Sequence, residues 1–462
     1  MIKRILLLGL LAPLERSHKS VVYQNGKSLI RLLVFLTGLA SALAFQNACS
    51  TPPAKSPSTP LPTIELKDLK ELAPAKLIDT IYSVAEKKFV SFDEMMAQAI
   101  KSPLIYVGET HDNVIHHQIQ EKVLRAVYDK NSAETAKANG KTRKIALGME
   151  MFQRPYQSIM DDYLSGKISE PEMLRQTEYY TRWVFDWSMY QPLVNFAKAQ
   201  GLKVVALNAP REITKKVTKS GLASLTEEER KLLPEKIDTA NKNHRDYVYE
   251  RFKPHIKMGM FTEEAFDKFY ESQCLWEDTM ADSAAGYFKN APTGQEVVVV
   301  GGGHIIYRFG IPERAKWRTQ MNYASILCVE VAETTGQNTP AGTSGLIELL
   351  ESYNNNPADY LYFTKILKID ELRPLMGVQL AEPKADQKGL TIMDVVAGGP
   401  AAQAELMKDD IIIMVDNQSI KDMVDLKCAL ANKKANDKVE LVVRRGQETK
   451  QVTLVLEIPN TK

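Results

Sequence analysis

Leu104-Ile-Tyr-Val-Gly-Glu-Thr-His-Asp112 is a short apolar run that stops at a glycine and opens into polar groups. A run of four, rich in β-branched and aromatic side chains and ended by Gly108, predicts a strand buried on both faces. Lys144–Leu147, Lys203–Leu207, Glu296–Val300 and Ala324–Val331 read the same way. Helical patterns lie between them at Asn113–Tyr128, Tyr156–Leu164 and Tyr190–Gln200. Strand–helix alternation predicts an α/β domain with a mostly parallel sheet flanked by helices. The stretch Glu227–Lys289 has no strand signal, so a helical insertion is expected at about 225–290.

In open parallel sheets, ligands bind beyond the carboxyl ends of the strands. Four strand ends deliver polar residues there. They are Glu109, His111 and Asp112; then Glu150; then Asn208 and Arg211; and finally His304 after Gly301-Gly-Gly303. Glycine lets the backbone come close and turns the next side chain toward a pocket. Two histidines and two carboxylates can bind a divalent metal or act as acid and base on a substrate. The metal candidates and the catalytic candidates of a hydrolase are thus the same four, Glu109, His111, Glu150 and His304. Taken singly, each is as well explained as a hydrogen-bonded structural residue; their joint placement favours a site. His116 and His117 follow on the next helix and read as helix-surface or supporting positions. The glycine run lacks dinucleotide spacing and no Gly-Lys-Ser/Thr follows, which argues against nucleotide binding.

Composition sets the frame. The chain has 462 residues, 44% hydrophobic and 25% charged, which fits a globular protein of two or three domains. With 59 basic and 57 acidic residues the net charge is +2, giving no electrostatic case for a nucleic-acid partner. Of four cysteines, Cys274, Cys328 and Cys428 have no Cys-x-x-Cys spacing and read as small buried hydrophobes.

Lys27 and Arg31 flank the apolar run Leu29–Phe45, which small residues and Cys49 follow. A basic flank, a short apolar core and small residues form an export-signal pattern. The run falls short of the roughly 20 residues of a membrane span. Cys49 stands where a bacterial lipoprotein carries its lipid, although Gln46 and Asn47 depart from the usual lipobox. The Pro/Ser/Thr-rich stretch Ser50–Thr63 would serve as a tether. An exported protein, lipid-anchored to the membrane of the cell envelope, is expected.

Two further segments carry aromatic groups. Thr181–Tyr190 holds Trp183, Phe185, Trp187 and Tyr190, dense enough for core packing or for stacking on a flat ligand. The helical insertion carries His244, Tyr247, Tyr249, His255 and Tyr270 among Arg245, Arg251 and Lys253. A tyrosine phenolate can ligate haem iron, with basic groups pairing the propionates; a solvated amphipathic helix explains the pattern equally well.

Five motifs then converge. Ile105-Tyr-Val-Gly-Glu-Thr-His-Asp112, Ala146-Leu-Gly-Met-Glu150, Val205-Ala-Leu-Asn-Ala-Pro-Arg211, Leu275-Trp-Glu-Asp-Thr-Met-Ala281 and Val300-Gly-Gly-Gly-His304 together resemble the ChaN-like haem-binding lipoproteins. These belong to a superfamily that includes the Tiki/TraB proteins and erythromycin esterases. The resemblance covers about 85–335. It implies an outer-membrane lipoprotein that binds haem for iron uptake, with a tyrosine ligand and cofacial haems in a homodimer. Tyr247 and Tyr249 are the ligand candidates, with Arg211 and Trp187 as further cofactor-binding candidates. The Tiki and esterase branches imply something else, a metal-dependent hydrolase or peptidase using Glu109, His111, Glu150 and His304.

From Leu375 the pattern changes to short strands around one helix near Met423–Ala431. Gly377-Val378, Val396-Ala-Gly-Gly-Pro-Ala-Ala402, Leu406, Asp410-Ile-Ile412 and Val442-Val-Arg-Arg-Gly446 resemble a bacterial PDZ domain of the HtrA type. Met376, Gly377 and Val378 match the loop that captures a peptide or protein C-terminus through backbone N–H groups. Glu405 and Asp409 stand where glycine is usual. The expected organisation is therefore an export segment at 1–48, a tether and leading helix at 49–84, the ChaN-like domain at 85–335, a linker at 336–370 and a small β-rich PDZ domain at 371–460.

Overall fold

The computed structural model describes residues 63–138, 143–332, 353, 356–383 and 387–458. The expected export segment, Cys49 and nearly all of the tether lie outside the described residues, as does much of the expected linker. No helix among the described residues is long and apolar enough to cross a membrane.

An eight-stranded sheet forms the first architecture. Its strands are β1 (Ile81–Ser83), β2 (Lys88–Val90), β3 (Leu104–Glu109), β4 (Ile145–Gln153), β5 (Lys203–Asn208), β6 (Gln295–Gly301), β7 (Tyr323–Val331) and β8 (Tyr360–Lys365). Their order is β2-β1-β8-β7-β3-β6-β4-β5. From β8 to β5 all neighbours run parallel, and β1 and β2 add an antiparallel edge. The mostly parallel α/β class is thus the observed one.

Side chains alternate between two cores, as period 2 demands. Leu104, Tyr106, Ala146, Val298 and Val300 point into one, with Cys274, Met280 and Ala284 of the helix Phe266–Asn290. Ile105, Val107, Leu147, Val297 and Val299 point into the other, with Ile119 and Val123 of the helix Val114–Ala138 and Leu193 of the helix Gln191–Ala199. Truncating a fully buried leucine such as Leu147 would cost about 2–5 kcal/mol. Between β5 and β6 the described chain is helical, including Lys242–Lys257 and Phe266–Asn290.

Three strands of this sheet were not anticipated. β1 and β2 have three residues each, too few to display alternation. β8 falls inside the stretch expected as linker. Its Tyr360-Leu-Tyr-Phe363 is apolar at every position, which fits helix and strand alike. Pairing with β7 decides the matter, and the linker expectation is corrected there.

The second architecture is antiparallel: β9 (Val378–Ala381), β10 (Leu390–Val395), β11 (Ile411–Val415), β12 (Gln418–Ser419), β13 (Lys438–Arg445) and β14 (Glu448–Val455). The path is β14-β13-β11-β10-β9, with β12 on β11. Leu390, Ile392, Ile412, Val439, Leu441 and Leu454 form its own core, closed by Leu426 of the helix Met423–Leu430. Arg445 grips buried Asp410 with two 2.7 Å bonds. Glu405 (φ 56°) and Asp409 (φ 70°) are both left-handed, which explains why glycine is usual at these positions.

Candidate functional site

Register brings the polar strand ends to one level. Glu109 pairs with Gly301, and Met149 pairs with Val299, which puts Glu150 one step short of Gly301. Glu109 shares its parity with Ile105 and Val107, whereas Glu150 shares it with Ala146. The two carboxylates therefore leave on opposite faces of the sheet, and the site straddles its edge.

On the first face, Glu109 is fully enclosed. Its Oε1 accepts from His111 Nδ1 at 2.6 Å and from the Tyr190 hydroxyl at 3.1 Å. Its Oε2 accepts from Gln120 Nε2 at 2.6 Å and faces His117 Nδ1 at 3.1 Å. Burial works to raise the Glu109 carboxyl, but His117 and His111 overcome it and hold it far below the usual range. Burial likewise disfavours a charged His111, and the bond to Glu109 outweighs it, raising the imidazole. With Nδ1 held by Glu109, the Nε2 side of the His111 ring is turned toward Gly301. A Cβ on Gly301 would lie 3.0 Å from His111 Cε1 and 3.1 Å from Nε2, so a side chain there would press on the ring by a few tenths of an ångström. Trp183 and Phe185 cover the ring, at 4.9 and 4.8 Å between centroids.

On the second face, Glu150 Oε2 accepts from the Gly301 N–H at 2.7 Å. Its Oε1 faces His304 Nε2 at 3.4 Å, and neither atom has a hydrogen-bond partner. His304 Nδ1 stands 3.2 Å from Glu277 Oε1, and Glu277 Oε2 stands 3.2 Å from His244 Nε2. Gln273 donates to Glu277 at 2.8 Å, and Arg314 Nε lies 3.5 Å away. Burial opposes charge on His304, but Glu150 and Glu277 outweigh it and push the imidazole up to about 10. Carboxylate and imidazole thus alternate through the domain, from Glu109 and His111 to Glu150, His304, Glu277 and His244. Such a chain can hold a proton or orient a polar group at the Gly301 gap.

The structure gathers Glu109, His111, Glu150 and His304, as well as Asn208, whose amide donates to the Glu150 carbonyl at 2.8 Å. It does not gather Arg211 or Trp187 with them. Arg211 donates to the Thr181 carbonyl at 2.6 Å and so tethers the segment that carries Trp183. Trp187 is 1% exposed and packed by Phe152 and Tyr179, which leaves no open face for a flat ligand. His116 and His117 are buried, not on a helix surface. His116 bonds the Thr110 N–H and Thr364 hydroxyl, and burial together with charge on His117 pushes it down to about 3. His117 supports the site through Glu109 and the His111 carbonyl, 3.1 Å from its Nε2. Glu277, His244, Gln120 and Tyr190 are site residues that strand-end reasoning missed, because they come from helices and loops. Glu277 did lie within the quoted Leu275–Ala281 motif, the one signal that could have found it.

The two tyrosine candidates differ. Tyr247 is buried beside Tyr307, Phe309 and Tyr353, with the Arg251 guanidinium 3.5 Å from its ring centroid. Burial pushes its phenol up to about 12 despite Arg251. Tyr249 is half-buried, packs on Phe266, bonds Glu263 and lies under Lys253. His244 is one turn before Tyr247, which connects the aromatic face to the carboxylate–imidazole chain.

A metal fits the donor set poorly. Among the described residues no three His, Cys, Asp or Glu side chains converge as ligands would. The oxygens of Glu109 are already taken by four neighbours, and Glu150 and Glu109 depart on opposite faces of the sheet. A phenol, a guanidinium and flat rings do gather at Tyr247, with Arg251 over its ring and Tyr307, Phe309 and Tyr353 beside it, while Tyr249 leaves another side of the helix toward Phe266.

A parallel α/β domain with a buried carboxylate–imidazole site, joined to a small antiparallel domain with a glycine loop before its edge strand, defines the class. Residues 95–315 match the family model described as haem-binding uptake, Tiki superfamily, ChaN, and residues 374–456 match the PDZ domain model. The α/β part thus matches the ChaN family of the Tiki superfamily over 95–315, and the C-terminal part matches a PDZ domain over 374–456. Among curated proteins, the chain is 30% identical over 91 residues to the chloroplastic Protein RETICULATA-RELATED 5 of Arabidopsis thaliana, covering 20% of this chain and 12% of the relative. It is 42% identical over 62 residues to the periplasmic pH-dependent serine endoprotease DegQ of Escherichia coli (strain K12), covering 13% of each. The chain thus spans only 12% and 13% of the length of these relatives. Among solved structures, ChaN of Campylobacter jejuni with cofacial haem is similar at 17% identity and a TM-score of 0.46, over 61% of this chain and 95% of that one. The HtrA3 PDZ domain bound to a phage-derived ligand is similar at 18% identity and a TM-score of 0.17, over 19% of this chain and 86% of that one.

Proposed function

We propose that this protein binds haem at the helix Lys242–Lys257, as an envelope lipoprotein serving iron uptake, and that its PDZ domain holds a protein partner by its C-terminus. The observation that carries the reading is the ChaN family match over 95–315, joined to a helix that offers Tyr247 and Arg251 beside Tyr307 and Phe309 and, on another side, Tyr249. Bound haem would supply an iron centre to be carried. Tyr247 or Tyr249 would hold the haem iron, and Arg251 and Lys253 would meet the propionates. Tyr249 has its hydroxyl bond to Glu263 to give up, whereas Tyr247 must be uncovered. Cys49 would carry the lipid, and pairing of two copies over this helix would enclose the cofactor.

Haemin titration of the purified protein tests the reading. A Soret band should appear and should shift or weaken in Tyr247→Phe or Tyr249→Phe. An unchanged spectrum in both variants would remove these ligands, and no band at all would remove the function. Cys49→Ser should move the protein from the membrane fraction to the soluble one.

A second reading is hydrolysis at the strand ends. It is favoured by Glu150 Oε1 and His304 Nε2, two buried polar atoms that face each other without a hydrogen bond. Peptide cleavage that survives both His111→Ala and His304→Ala would dispose of it.

A further inference from the structure

The segment Tyr179–Trp187 touches two things at once. Trp183 and Phe185 cover His111. Tyr180 and Asp186, on the same few residues, are held by the PDZ domain. Asp186 Oδ2 pairs with Arg373, and its Oδ1 accepts from the Ser188 N–H at 2.9 Å. Lys427 Nζ sits 3.8 Å from the Tyr180 ring centroid. A clamp reinforces the contact: Arg175 donates to Asp422 at 2.6 and 2.9 Å and meets Asp425 at 2.5 Å. Val424 and Cys428 pack against the core under β3 and β4.

The PDZ groups that grip this segment border the peptide groove. β9 ends the sheet path, so its outer edge is open to an added strand among the described residues. Val378 and Leu380 of β9 and Met423 and Leu430 of the helix Met423–Leu430 are half-buried against the same core. Lys427 stands on the same helical stripe as Met423 and Leu430. Arg373 lies four residues before Gly377, whose φ of +77° shapes the carboxylate loop. Asp186, Arg373 and Glu382 all act on the charge of Lys427, so these groups share one neighbourhood.

We propose that a peptide C-terminus entering the groove competes with Asp186 for Arg373 and thereby loosens the Tyr179–Trp187 cover over His111. The partner is a protein chain that ends in an apolar residue with a free carboxylate. The apolar groove takes its last side chain, and the carboxylate brings to Arg373 the same charge that Asp186 supplies. Arg373 meets Asp186 through its Nη2 group, so a peptide carboxylate seated on that same group must displace Asp186 from it. The inference rests on the PDZ domain binding C-termini and adds the consequence for the other domain.

The test uses the full chain and a synthetic decapeptide ending in Val, as free acid and as C-terminal amide. Asp186→Asn should bind the acid at least about threefold more tightly than the unaltered protein, because Arg373 is released. Arg373→Gln should bind it more weakly by a similar factor. Amide hydrogen exchange across 179–187 should accelerate in both variants without peptide. In the unaltered protein it should accelerate on saturation with the acid and not with the amide. Opposite signs on affinity with the same sign on exchange are not what misfolding produces. Equal affinity of Asp186→Asn and the unaltered protein, or exchange unchanged at saturation, overturns the coupling. Absence of binding in every protein removes the peptide-binding reading itself, and the coupling with it.

Discussion

His304 Nδ1 lies 3.2 Å from Glu277 Oε1, so a strand-end histidine is paired with a carboxylate from the middle of a helix 27 positions earlier in the chain. Both groups are fully buried. Removing one member of such a pair leaves an uncompensated charge, and the loss is about 3–5 kcal/mol. Glu277→Gln should therefore lower unfolding stability by about 3 kcal/mol, and it should lower the His304 pKa followed by imidazole NMR.

The same pair sets a pH window. The His304 imidazole is raised from 6.5 to about 10 in the folded protein, with Glu150 and Glu277 overcoming burial. A raised folded pKa contributes stability that is complete below the unfolded value and lost as pH climbs through the folded one. Denaturation midpoints should thus fall steadily from about pH 6.5 to about pH 10. His304→Gln should flatten that slope. A slope unchanged by the substitution would show that another group carries it.

Gly301 separates His111 from Glu150. In Gly301→Ala the new Cβ must displace the His111 ring, and overpacking of this kind costs about 1–3 kcal/mol. The variant should lose stability in urea titrations and should show a shifted His111 resonance. Gly303→Ala meets nothing within 4 Å and should be close to neutral.

Glu405 occupies a left-handed conformation in the PDZ domain. A side chain there costs roughly 1–2 kcal/mol, partly offset by the greater entropy glycine loses on folding. Glu405→Gly should stabilise the domain by about 0.5–1 kcal/mol in thermal unfolding. No gain would mean that local contacts already relieve the strain.

Much of the architecture was legible because its signals are local. Leu104–Val107 and Glu296–Val300 are buried on both faces, and that requirement writes itself into consecutive apolar residues. β1 and β2 were too short to leave such a mark, and β8 was apolar without a period that separates helix from strand. Glu109, His111, Glu150 and His304 could be singled out because a parallel sheet places every strand end on one rim. Gln120 could not, and His117 and Tyr190 were read only as a surface or supporting position and as an aromatic of the core, since each reaches Glu109 from a helix or loop whose facing depends on packing.

The sequence alone determined the α/β alternation, the PDZ pattern and the polar character of the strand ends, since each follows from the spacing of neighbouring residues along one chain segment. Tertiary structure decided which side chains meet. Register set Glu109 level with Gly301, the pleat sent Glu109 and Glu150 to opposite faces, and helix packing brought Glu277 and His244 to His304 and the PDZ domain to Asp186. These are contacts between residues tens or hundreds of positions apart, and only the closing of the sheet and the burial of both its faces fix their distances.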